Sequence, residues 1–174
     1  MLDTTHQTKA QRVLDALNQG LERADFQGVA DLFQDDCYWR DLVSLTWNIK
    51  TMEGKPQILD MLGSQAGNIQ PTRFALDPQE IVTADGDLIT AWITFETKVG
   101  RGYGLVRINA GKIWTLLTSL VELKGYEEPL GFDRPLGAKH GAGKHRPTWK
   151  EEIACQGCGI PMPVSVTEKR TKVW

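Results

Sequence analysis

Asp41 is the side chain in this chain of 174 residues that is most out of place, set in the stretch CYWRDLVSLTW from Cys37 to Trp47. Its neighbours are the aromatic and branched residues of a strand. If Cys37–Ile49 runs extended, Cys37, Trp39, Asp41, Val43, Leu45, Trp47 and Ile49 share one face, and Tyr38, Arg40, Leu42, Ser44, Thr46 and Asn48 the other. Asp41 is then the one charge on an apolar face, and Arg40 points away from it. A carboxylate between Trp39 and Val43 loses solvation, which favours its taking up a proton and suits it to act as a general base. The alternative reading is a buried carboxylate satisfied by backbone N–H groups or by an arginine such as Arg73 or Arg107.

Other reactive side chains form no complete set. Cys155 and Cys158 make one C-x-x-C, with no second pair and no H-x-H to finish a zinc site and no βαβ pattern to suggest a redox fold, so no metal is expected. Three cysteines and no secretory pattern argue against a disulfide framework. His6 precedes the first helix, and His140 and His145 lie in a Gly- and Pro-rich segment. Trp39, Trp47, Trp92, Tyr103 and Trp114 are expected to line a pocket, the alternative being ordinary core. Glu96 and Lys98 share a strand face and are expected to pair in solvent.

The elements that must position these residues are readable from periodicity. Ala10, Val13, Leu14, Leu17 and Leu21 follow the spacing of one buried helix face. Asp25 precedes a short second helix expected to carry Phe26, Val29, Leu32 and Phe33 and to end at the acidic QDD. Pro56 opens a third, with Ile58, Leu59 and Leu62 on its apolar side. From Thr72 the pattern turns to β, with turns at ADGD, GRG and NAG separating four strands of an antiparallel meander. The expected class is α+β, three N-terminal helices packed on a curved antiparallel sheet that forms a cone with an internal pocket.

This order gives one domain over residues 1–124, a connector or wrapping arm over 125–152 and a divergent or truncated tail over 153–174. Residues 139–174 hold seven Lys or Arg against three Asp or Glu, although the whole chain carries a net charge of −2, so the tail is basic and the body acidic. Basic residues confined to a Gly- and Pro-rich segment do not make a nucleic-acid surface. No apolar run is long enough to span a membrane, and the polar start MLDTTHQTKAQ lacks a signal peptide's apolar stretch. A soluble cytoplasmic protein is expected.

The segments LDALNQG, FQGVADLFQDDCYWRDL and EGKPQIL resemble the opening of the NTF2-like superfamily, which includes SnoaL-like cyclases, ketosteroid isomerases and scytalone dehydratase. The resemblance runs over roughly residues 9–124 and implies a cone of the kind described. It places Asp41 where the isomerases carry their proton-shuttling aspartate, but the positions of their two oxyanion donors hold Val13 and Gly104. A narrower resemblance, carried by YWRDLVSLTWNIKTMEGK, GYGLVRINAGKIWTLLTSLVELKGYEEPLGF and RPLGAKHG, is to the N-terminal region and connector of flavin-containing monooxygenase-like oxidoreductases. Those larger proteins use FAD and NADPH, which implies a catalytic part not present in these residues. Here GCGIPM stands where a G-x-G-x-x-G loop would follow, with Pro161 and Pro163 against a helix start.

Two functions follow as expectations. One is an accessory domain with a pocket for a small apolar ligand, paired as a homodimer through its sheet and holding no cofactor itself. The other is a stand-alone SnoaL-like isomerase, cyclase or dehydratase with Asp41 as base.

Overall fold

In the computed structural model, helix α1 covers Thr4–Glu22 and buries Ala10, Leu14 and Leu17, with Val13 and Leu21 partly covered, as the periodicity predicts. Residues 4–129 and 131–134 are described, so Cys155, Cys158, His140, His145 and most of the connector and tail lie outside the described residues. Asp25 accepts a hydrogen bond from the Gly28 N–H at 2.9 Å and so caps α2, Phe26–Asp31. Helix α3, Gly54–Ile69, has Pro56 in its first turn and runs on through Gly63 and Gly67. It ends where Gln70 takes a left-handed φ of 50° just before Pro71.

The expected single strand from Cys37 to Ile49 is two. β1, Phe33–Leu42, is followed by a loop over residues 43–48, and β2, Ile49–Glu53, returns antiparallel with Leu42 opposite Ile49. Up to Asp41 the alternation holds, with Cys37, Trp39 and Asp41 buried and Tyr38 and Arg40 outward. Beyond it, Val43 and Trp47 adopt left-handed φ of 56° and 53°, and Trp47 and Ile49 become exposed.

The remaining strands are β3 (Thr72–Leu76), β4 (Thr83–Asp85), β5 (Leu88–Glu96), β6 (Gly100–Asn109) and β7 (Lys112–Leu123). Asn109 pairs with Lys112 across a two-residue turn, Ala110 and Gly111, whose φ of 49° and 78° match a hairpin of primed type. The sheet order is β2-β1-β7-β6-β5-β3, with β3 and β4 pairing successive parts of β5. It is mixed rather than antiparallel, because β1 runs parallel to β7, Tyr38 opposite Thr115 through Leu42 opposite Ser119. Strand patterns report which face is buried but not which strand lies alongside, so this pairing was not readable.

The helix side of the sheet is filled. Phe33 stacks on Trp39 with centroids 5.7 Å apart, and Phe74 on Phe95 at 5.1 Å, all four fully or almost fully buried. Burying such a side chain stabilises the fold by roughly 1.5–3 kcal/mol. Phe95 lies over Gly102 on the neighbouring strand, and a Cβ there would stand 2.1 Å from its ring. These two ring pairs take up part of the interior between the helices and the sheet.

Candidate functional site

Asp41 sits one residue from the end of β1 on the inner face, with no solvent exposure. Its Oδ1 accepts from Thr118 Oγ1 of β7 at 2.9 Å, from Leu45 N at 3.2 Å and from Ser44 Oγ. Its Oδ2 accepts from Leu45 N at 3.0 Å, Thr46 N at 2.8 Å and Thr46 Oγ1 at 2.8 Å. Thr118 Oγ1 also accepts from the Trp39 indole at 3.0 Å. No buried polar side-chain atom among the described residues lacks a partner.

This arrangement accounts for the loop. A carboxylate that takes the N–H groups of residues four and five positions ahead bends the chain back, and the hydroxyls of Ser44 and Thr46 complete the turn. Leu45 is carried inward beside Met61, Leu62, Ile69 and Pro71. The donors are hydroxyls and backbone, not arginine. Arg73 binds Glu96 at 3.0 Å, and Arg107 is exposed on the opposite sheet face. Ser and Thr at three and five residues after the Asp were the available clue.

Chemically, a base needs a lone pair aimed at a substrate proton. The lone pairs of Asp41 are aimed at its own loop and at β7.

The aromatic residues expected to line a pocket are spread over the domain. Trp39 is in the core and Trp47 stands on the loop, 54% exposed. Trp92 and Tyr103 stack at 5.2 Å on the outer face of the sheet, where alternation along β5 and β6 sends them. Burial, then the hydrogen bond to Asp77, pushes the Tyr103 hydroxyl up to about 12. Trp114 is half-buried where the β6–β7 register slips. Around Trp92 and Tyr103, the outer face also presents Tyr38, Leu105, Leu117 and Val121, the last 69% exposed.

A groove of about 580 Å³ opens elsewhere, between the ends of α1 and α3, the start of β3 and the β5–β6 turn. None of the five aromatics lines it. On its wall Glu96 pairs with Lys124 at 2.7 Å and with Arg73, not with the expected Lys98. The Lys124 hydrogen bond, then that of Arg73, holds the Glu96 carboxyl below its ordinary value. Among the described residues no three His, Cys, Asp or Glu converge on a metal position, and no helix is long and apolar enough to cross a membrane.

Residues 10–116 match the family model of a SnoaL-like domain. No curated protein sequence matches the chain. Solved structures share the fold at low identity. A domain of unknown function with a cystatin-like fold from Nostoc punctiforme PCC 73102 is 12% identical over 68% of this chain and 78% of its own, with a TM-score of 0.54. A candidate aromatic ring hydroxylase from Novosphingobium aromaticivorans is 17% identical over 71% of this chain and 95% of its own, at 0.51. The Orange Carotenoid Protein of Anabaena (Nostoc) sp. PCC 7120, which binds canthaxanthin, is 18% identical over 63% of this chain at 0.50, and the chain spans 36% of its length.

Proposed function

Because the chain belongs to the SnoaL-like domain family, a fold that serves several activities, we propose that it acts as a binding and assembly domain and not as a general-base enzyme. The observation that carries this reading is the engagement of both Asp41 oxygens by Ser44, Leu45, Thr46 and Thr118. For Asp41 to serve an isomerase, cyclase or dehydratase, the loop over residues 43–48 would have to withdraw and take Leu45 out of the interior. Val13 and Gly104 supply no oxyanion donor at the positions implied by resemblance, and a Cβ at Gly104 would meet the Leu117 carbonyl at 2.2 Å.

The partner for assembly is a second copy, met through the outer sheet face. Tyr38, Leu117, Val121 and Trp92 put apolar surface on that face, and Arg40, opposite Leu117, and Arg107 on β6 interleave with it, which suits a self-complementary contact about a two-fold axis. The sequence resemblance to flavin monooxygenase N-terminal regions supports an accessory role beside an FAD- and NADPH-binding part. The described residues contain no G-x-G-x-x-G run. The glycines at 100, 102 and 104 lie within strand β6 under Leu120, Phe95 and the Leu117 carbonyl, not in a turn between strand and helix. Sedimentation equilibrium of the full chain tests the reading. We expect a dimer that Val121→Arg converts to a folded monomer, and a monomeric wild type at tens of micromolar would overturn the assembly role.

A further inference from the structure

We propose that the 580 Å³ groove is a binding site for a small organic anion with an apolar body. The inference stands apart from the assembly reading, since the groove lies at the end of the domain and the sheet's apolar centre on its outer face.

The groove has two chemically distinct parts. Its apolar lining is Leu21, Phe26, Ala66 and Pro71, and the first three also pack on the core. Its rim brings together Arg73, Lys98 and Lys124 with Glu22 and Glu96, which leaves a surplus of positive charge. Donors are in surplus too. Glu96 occupies one terminal nitrogen of Arg73, leaving the rest of a five-donor guanidinium. Lys124 Nζ spends two of three donors on Glu96 and the Thr97 carbonyl. The exposed Lys98 ammonium completes the set. A volume of this size lies in the range of small-molecule sites.

The walls are held in place. The Lys98 N–H binds the Ile69 carbonyl at 2.8 Å and the Lys124 N–H binds Val99 at 2.9 Å, which stitches the β5–β6 turn to α3 and β7. Among the described residues with left-handed backbone, Ala24 and Gln70, which follow α1 and α3, and Arg73 of β3 line this groove. The ligand's carboxylate, sulfonate or phosphate would meet Arg73 and Lys98, and its hydrocarbon would cover Phe26 and Pro71.

The test is a titration of the full chain with sodium octanoate, followed by backbone amide NMR. Saturable shifts should gather at residues 66–73 and 96–98, octanol should bind about tenfold more weakly, and Lys98→Gln with Arg73→Gln should weaken octanoate by about tenfold. Lys98→Gln alone, an exposed change, should still show a severalfold loss if the double variant is unstable. Octanol binding as well as octanoate, shifts confined to other surfaces, or an unchanged affinity in Lys98→Gln and the double variant would overturn the proposal.

Discussion

Thr118 and Asp41, 77 residues apart, meet at 2.9 Å across the parallel β1–β7 seam, and the same threonine oxygen takes the Trp39 indole hydrogen. One hydroxyl therefore serves a buried anion and a buried donor together. A carboxylate used this way organises backbone, and its loss is felt as instability.

Asp41→Asn should lower stability by about 2–4 kcal/mol, because an amide NH₂ would face N–H groups that now donate to oxygen. Thr118→Val should cost about 1–3 kcal/mol by leaving Trp39 Nε1 and one Asp41 lone pair unpaired, while Thr118→Ser should cost less. Urea unfolding midpoints at constant slope measure all three. An Asp41→Asn protein as stable as wild type would return the general-base reading to the front.

Gly102→Ala should be destabilising by about 1–3 kcal/mol, since the new methyl would overlap Phe95 at 2.1 Å and the ring is braced against Phe74. Phe95→Leu should relieve part of this in the same chain. A double-mutant cycle gives the coupling, and strictly additive effects would show that the ring moves freely.

Glu96 sets an acid-side dependence. Its carboxyl is held below the usual 4.5 by Lys124 and then Arg73, so its stabilising contribution is complete above that value and is lost as pH falls toward the depressed one. Glu96→Gln should therefore be less stable near neutrality, by under about 1 kcal/mol for a pair so near solvent, with the gap closing in acid and narrowing in salt. A pH-independent gap in thermal unfolding would assign Glu96 to packing instead.

Helices α1 and α3 were legible because their apolar residues keep one period, whereas α2 stops at Asp31 and Phe33, expected in it, opens β1, since a lone apolar residue fits either period. The burial of Asp41 was legible from Trp39 and Cys37 on the same side of β1. Its purpose was hidden, because Val43, Leu45 and Trp47 fit a continuing strand on propensity and only the carboxylate's capture of Leu45 and Thr46 bends them away. Trp92 and Tyr103 misled for a related reason, since large rings suggest a pocket while Ile89, Ala91, Ile93 and Phe95 already claim the inner face of β5. The groove was invisible, being assembled from the ends of four elements by tertiary packing.

The parallel seam also governs when the domain can exist. Among the described residues β1 pairs with β2 and β7, and β7 is the last strand of the sheet in chain order. During synthesis the β1–β2 hairpin must persist with an open edge until Leu123 has emerged, and a two-stranded hairpin is marginal alone. Closing that separation carries a loop-closure cost that the local hairpins do not, so the seam is expected to be the slower part of folding. A chain cut before β7 loses the strand that joins β1 to β6, which divides the sheet into two unconnected parts.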